Sequence, residues 1–272
     1  MRIWGNVLVL GAMSTLAWTC SIAGAMEVKS PNGQVILSLE AKDFEGAASC
    51  PVYSVTYRGK VVVAPSRLGL ALANSPLAAG LQIVRQTESS ADTEWKPVCG
   101  ERSTIRDHYN QVVVELQEEN TPKRLLNVTL RAYDEGAAFC YTVPKQPNME
   151  RVTIGRELTE FRFAADFNAW ATYTAQGAYT NVPISQIKRG CERPLVVRLA
   201  DAMYAAVAEA RLVDYARMKL SPLVRGVPAR ASEETPRGVT TNGLVAELGS
   251  EVSSPLPLRT PWRVIMLADS PG

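Results

Sequence analysis

The sequence predicts an all-β fold, two large antiparallel sheets packed face to face. Three observations predict it. Apolar and polar residues alternate with period two in about a dozen short runs. The runs are separated by turn chemistry, with 17 Pro and 18 Gly scattered between them. Apolar spacing of three or four residues is hard to find, which argues against an α/β architecture.

The elements follow in chain order. Met1-Arg2 supplies a positive charge, residues 3–18 are largely apolar, and Ala23-Gly24-Ala25 has a small-x-small pattern. Residues 1–25 are therefore expected to be a secretory signal peptide, leaving residues 26–272 as the folded domain. The chain is then exported, to the periplasm or outside a bacterial cell. Lipid attachment at Cys20 is the weaker reading, because Trp18 fits such a signal poorly. The apolar run is too short and too broken for a membrane span.

An Asn32-Gly33 turn leads into a strand at 35–39. Residues 51–57, Arg58-Gly59-Lys60 and 61–64 read as strand, tight turn and strand. Strands are expected at 81–86 and 111–116. A second hairpin runs from 126–133 through Asp134-Glu135-Gly136 to 137–143. Further runs lie at 158–163, 195–199, 204–209, 243–248 and 262–267. Residues 202–212 are rich in Ala and are the best helix candidate. Alternation of Tyr204, Ala206, Ala208 and Ala210 favours a strand there, in keeping with its neighbours. Residues 221–237, rich in Pro, Arg, Ser and Glu, read as a surface loop.

Formal net charge is +2, or +1 once the signal's single Arg is removed. Such a chain offers no electrostatic case for nucleic acid or an anionic membrane. Cys50, Cys99, Cys140 and Cys191 lack the close spacing of a zinc site. They fit either disulfides, with pairing undetermined by sequence, or buried small hydrophobes.

Three stretches carry the polar chemistry. Residues 95–110 contain His108, the single histidine, beside Asp107. An acid–base role is conceivable, but no nucleophile motif accompanies it. The plainer reading is a structural network in which Arg106 pairs with Asp107 and Tyr109 packs. Residues 161–179 interleave Phe161, Phe163, Phe167, Trp170, Tyr173 and Tyr179 with Asp166, Asn168 and Gln176. Rings that cover apolar sugar faces beside amides and carboxylates that bond hydroxyls suit a carbohydrate surface, with Asp166, Asn168 and Trp170 as candidate contacts. Core packing is the alternative. In the third, Glu209 and Asp214 are hard oxygen donors, yet their spacing is no metal motif, so on spacing alone they read as surface charges. Asp43, Glu45, Glu118 and Glu119 read as solvated charges, and Lys188-Arg189 as a basic loop.

The same stretches resemble the N-terminal domain of glycoside hydrolase family 97. The resemblance rests on Ser30-Pro31-Asn32-Gly33, Pro51-Val52-Tyr53-Ser54-Val55 with Arg58-Gly59, and Gly100-Glu101 leading to Ile105-Arg106-Asp107-His108-Tyr109-Asn110. It continues through residues 131–139, Glu160-Phe161-Arg162-Phe163, Glu209-Ala210 near Asp214-Tyr215, and Thr260-Pro261-Trp262-Arg263. It implies a β-super-sandwich similar to galactose mutarotase-like folds, packed on a (β/α)₈ barrel that carries the catalytic carboxylates of an α-glucosidase or α-galactosidase. It also implies a Ca²⁺ in the complete active site, with Glu209 as the ligand from this domain, and α-linked oligosaccharides as substrates. Cys99 departs from the family, where Trp is expected. In the family the chain runs on into the barrel, whereas this sequence reaches Gly272, so the barrel's glutamates are expected to be absent.

Glycoside hydrolysis needs two carboxyl groups flanking the scissile bond, and Ca²⁺ takes about six to eight oxygen ligands. The resemblance therefore implies a non-catalytic domain that frames an active site and lends Glu209 to a barrel supplied in cis or in trans. By itself it would have little Ca²⁺ affinity. The competing readings are a stand-alone carbohydrate-binding module and a fragment left by a frameshift. Without its barrel, the domain is expected to expose an apolar face and to associate.

Overall fold

The computed structural model describes residues 25–224 and 240–270. The expected signal peptide and most of the 221–237 loop lie outside the described residues. In chain order the first strands are β1 (Met26–Lys29), β2 (Val35–Phe44), β3 (Ala47–Tyr57), β4 (Lys60–Arg67), β5 (Leu70–Leu72), β6 (Pro76–Leu77) and β7 (Leu81–Trp95). Then come β8 (Ile105–Glu118), β9 (Leu125–Tyr133), β10 (Gly136–Val143), β11 (Arg151–Glu157), β12 (Glu160–Phe163), β13 (Asn168–Ala171) and β14 (Thr180–Pro183). The last are β15 (Leu195–Arg198), β16 (Tyr204–Ala210), β17 (Met218–Val224), β18 (Thr240–Leu248), β19 (Val252–Pro255), β20 (Leu258–Arg259) and β21 (Trp262–Ala268). Among the described residues the helical pieces are two 3₁₀ turns, Ile184–Gln186 and Ala200–Ala202.

Two antiparallel sheets face each other, as expected. One has seven strands in the order β1-β2-β3-β4-β12-β18-β17. The other has ten, ordered β14-β13-β15-β16-β21-β10-β9-β8-β7, with β20 pairing beside β10. A small third sheet, β19-β11-β5-β6, was not foreseen. The core is filled by the inward half of each alternation. Val35, Leu37 and Leu39 of β2 meet Val128 and Leu130 of β9, with Phe139 and Tyr141 of β10 beside them. The Tyr53 and Phe139 rings lie 4.8 Å apart across the sheets.

The hairpins show why local chemistry was informative. Tyr57 pairs with Lys60, leaving Arg58-Gly59 as a two-residue turn with φ of 50° and 75°. Both central residues at positive φ define the turn whose twist matches a β-hairpin. Residues 134–136 differ slightly from expectation. Gly136 is already in β10, paired with Tyr133 and Met266. A Cβ there would sit 2.3 Å from the Ile265 carbonyl oxygen, and φ is 154°, so the position requires glycine.

The Ala-rich segment 204–210 is a strand, with Ala205 and Val207 buried. The loop expected from Ser221 begins later, because 221–224 continue β17 alongside β18. β7 and β8 are far longer than their apolar cores, and their distal ends, where residues 92–95 pair with 105–108, form an exposed two-stranded arm. Arg106 pairs across that arm with Asp92, not with Asp107, since neighbouring residues in a strand point to opposite faces. Tyr109 packs as expected, 5.2 Å from the Tyr133 ring and beneath Arg131. Cys50, Cys140 and Cys191 are buried free thiols and Cys99 is exposed and free.

Candidate functional site: a chain of ion pairs at the end of the buried face

β21 sends Arg263, Ile265 and Leu267 into the sandwich, and β16 sends Ala205, Val207 and Glu209 to the same side. Glu209 and Arg263 are direct cross-strand partners. Arg263 has no solvent exposure. A guanidinium keeps its charge, so burying it demands anionic partners with good geometry.

Glu157, at the end of β11 and also fully buried, is the first. It accepts Arg263 Nε at 3.0 Å and pairs with Nη2 in a bidentate clamp. The Tyr215 hydroxyl donates to Glu157 Oε1 at 3.0 Å and Thr159 Oγ1 to Oε2 at 3.1 Å. All four acceptor positions of the carboxylate are thereby filled. Burial and the Glu157 charge push the Tyr215 hydroxyl far above its ordinary pKa, which keeps it a donor.

Glu209 is the second partner. Its Oε2 accepts Arg263 Nη1 at 2.8 Å and the Met218 backbone N–H at 3.0 Å. Its Oε1 accepts Arg193 Nε at 2.5 Å and also pairs with Nη2. Arg193 then reaches Glu192 at 3.2 Å, and Glu192 meets Arg217 at 2.6 Å and Lys219 at 3.1 Å. Burial raises the Glu192 carboxyl pKa, but Lys219, Arg217 and Arg193 together hold it below the usual carboxylate value. The chain thus runs from Glu157 at 0% side-chain exposure to Arg217 at 46%. Its three carboxylates face four cations.

Glu209 is therefore not the surface charge that its spacing suggested; its side chain is 5% exposed. As a Ca²⁺ ligand it has four lone-pair positions, each already holding an N–H donor. Among the described residues no group of three or more His, Cys, Asp or Glu surrounds a metal position. The described residues alone do not fit a Ca²⁺ ion, which needs about six to eight oxygens.

The other candidates lie elsewhere. Asp166 is exposed in the loop before β13, and its carboxylate accepts the Ser185 N–H at 2.9 Å and the Ser185 hydroxyl at 2.6 Å. It anchors a turn. Asn168 and Trp170 share the outer face of β13, opposite the buried Ala169 and Ala171. They are on the other side of the sheet from Glu209. Phe161 and Phe163 are core residues. Glu118 and Glu45 are not merely solvated: Glu118 clamps Arg124, and Glu45 clamps Arg162. Arg189 pairs with Glu247.

Sequence reasoning missed Glu157, Arg193 and Arg263 as members of the Glu209 network. Their signal was present in one case. Arg263 occupies an inward slot of the alternating run at 262–267, where a charge is out of place.

The comparisons agree with this architecture. A glycoside hydrolase family 97 enzyme from Pseudoalteromonas sp. strain K8 is similar at 26% identity and a TM-score of 0.76, over 90% of this chain and 36% of that one. It has been solved in complexes with panose and with acarbose. A β-arabinopyranosidase shares the fold at 22% identity and a TM-score of 0.75, over 90% of this chain and 40% of the other. This chain thus spans well under half the length of the solved enzymes it resembles. The family described as Glycosyl-hydrolase 97 N-terminal matches residues 28–272, and the chain belongs to that family.

Proposed function

We propose that this chain is the β-sandwich wall of an α-glycosidase active-site cleft, whose reacting acids belong to a (β/α)₈ barrel met in cis or in trans. The substrate class is an α-linked oligosaccharide. The observation that carries the reading is the family match over residues 28–272, aligned with 36% of a longer glycoside hydrolase. The chemistry of the carboxylates supports it. A glycosidase acid must hold a proton near neutrality, which calls for a raised pKa. The buried carboxylates Glu157, Glu160 and Glu192 are each clamped by guanidinium groups instead. The described carboxyls whose pKa departs from its ordinary value, Asp92, Glu118, Glu192 and Glu247, all move down.

The loop after β16 exposes Leu212 and Val213, apolar side chains a few residues along the chain from Glu209 and suited to a protein neighbour. Any Ca²⁺ at this wall would take most of its oxygens from that neighbour, and Glu209 would have to release N–H donors it now holds to serve as this chain's ligand. The test is turnover by the purified chain on an aryl α-glucoside and an aryl α-galactoside. None is expected, and dose-dependent hydrolysis by the chain alone overturns the proposal.

A further inference from the structure

The outer face of the ten-stranded sheet departs from the usual polar exterior. The register places Asn168 and Trp170 of β13, Asn181 of β14, Val196 and Arg198 of β15, and Tyr204 and Ala206 of β16 on this one face. Trp170 lies directly across from Val196, and Tyr204 directly across from Arg198. Because Val196 and Ala206 are short, the Trp170 and Tyr204 rings reach over them to within 6.3 Å, tilted by 32°.

The two halves of this face treat their aromatics differently. Toward β9 and β8, Trp262 is covered by Arg131 at 4.6 Å and by Arg259 at 4.8 Å, and Tyr109 by Arg131 at 3.8 Å. Those rings are already occupied. Among the described residues no cation covers Trp170 or Tyr204, and the side chains of Asn168, Asn181 and Arg198 bond no other described residue. Adjacent half-buried rings that carry no cation, bordered by two amides and a guanidinium with unused hydrogen-bonding capacity, match a neutral sugar chain. The rings take the apolar sugar faces and the polar groups take the hydroxyls. A nucleic acid would call for a basic surface, which this near-neutral chain lacks.

We infer that Trp170 and Tyr204, with Asn168, Asn181 and Arg198, form a non-catalytic platform for a neutral α-linked oligosaccharide. The linkage class rests on the proposed function; the platform does not. It is separate from the cleft wall: Tyr204 stands five residues from Glu209 on β16, ~17 Å along the strand, and faces the opposite way.

The experiment is calorimetric titration of the purified chain with maltoheptaose. The expected result is saturable binding, weakened about tenfold by Trp170→Ala and by Tyr204→Ala and less by Asn168→Ala, with Trp95→Ala on the distant arm unchanged. Trp170→Phe keeps a ring and should retain most of the affinity, which separates loss of the platform from loss of the fold. No saturable binding by the unaltered chain overturns the inference, as does binding indifferent to both ring deletions. Binding that falls with Glu209→Gln but not with Trp170→Ala also overturns it, while leaving the cleft-wall proposal standing.

Discussion

Arg263–Glu157 and Arg106–Asp92 are both bidentate guanidinium–carboxylate pairs, and they have opposite surroundings. The first is wholly buried between the sheets. The second, with bonds of 2.6 and 2.8 Å, sits on an arm where both partners are more than half exposed. Water screens the exposed pair and would solvate either partner if the other were lost. At the buried pair no water replaces a missing partner, so each member is obligatory once the other is present. The difference teaches that the ion-pair chain around Glu209 is a structural commitment, whereas the arm's pair is an ornament of an edge hairpin.

The sharpest way to break this contrast is Arg263→Met. It leaves Glu157 buried with a negative charge and two unfilled acceptor positions, and removes one of the two guanidinium groups on Glu209. A loss of about 3–5 kcal/mol is expected, read from urea unfolding. Adding Glu157→Gln to it should recover part of the loss, since an uncharged amide tolerates the apolar neighbour. A loss below about 1 kcal/mol in the single variant would mean that the pair is wetter than its burial indicates.

Glu209→Gln should cost less, about 2 kcal/mol. The amide retains one acceptor oxygen for Arg263 and Met218 but turns an N–H₂ toward Arg193. Arg193 can relieve that contact by moving outward, because its side chain keeps 14% exposure. A cost equal to that of Arg263→Met would show that the buried and half-buried ends of the chain behave as one unit.

Acid sharpens the comparison without mutation. Hydrogen bonds from Arg124 hold Glu118 below its ordinary pKa. Burial raises Glu192 and Glu247, yet their cationic partners bring both below it as well. A carboxyl with a depressed folded pKa contributes fully above its unfolded value, roughly 4.3, and loses that contribution as pH falls through the folded value. The thermal midpoint should therefore be flat from neutrality to about pH 5 and then decline. Its fall should be shallower in Glu118→Gln, already lower at neutral pH. A decline that begins above pH 6 would assign the transition to other groups.

How much of this was legible in the sequence depended on the range of the interaction. The hairpin at Arg58-Gly59 is a local matter of turn chemistry and was readable. So was the strand at 204–210, once alternation was weighed against alanine content. β5, β6, β13 and β14 are too short to show a period, and the arm of β7 and β8 is too polar to show one, so these escaped. Asp166, Asn168 and Trp170 lie within five residues and were grouped for that reason. Folding separates them, since Ser185 takes Asp166. Glu209 was singled out, yet its partners are 16 and 54 positions away and the third carboxylate lies beyond Arg263. No spacing rule reaches that far; an arginine in an inward strand position is the trace such a network leaves.

The smallest expected effect is at the arm. Asp92→Asn removes the charge that clamps Arg106, and both groups then face solvent. The global unfolding midpoint should not move measurably. The consequence should be local. Residues 105–108 of β8 pair with β7 alone, because β9 pairs no further along β8 than Tyr109. A two-stranded ribbon is marginal by itself, so its amides should already exchange faster than those of β9 and β10, and faster still in the variant. Hydrogen exchange resolved by peptide checks this. If Asp92→Asn instead lowers the global midpoint as far as Glu209→Gln does, the arm belongs to the cooperative core, and solvent exposure is the wrong criterion for ranking these two pairs.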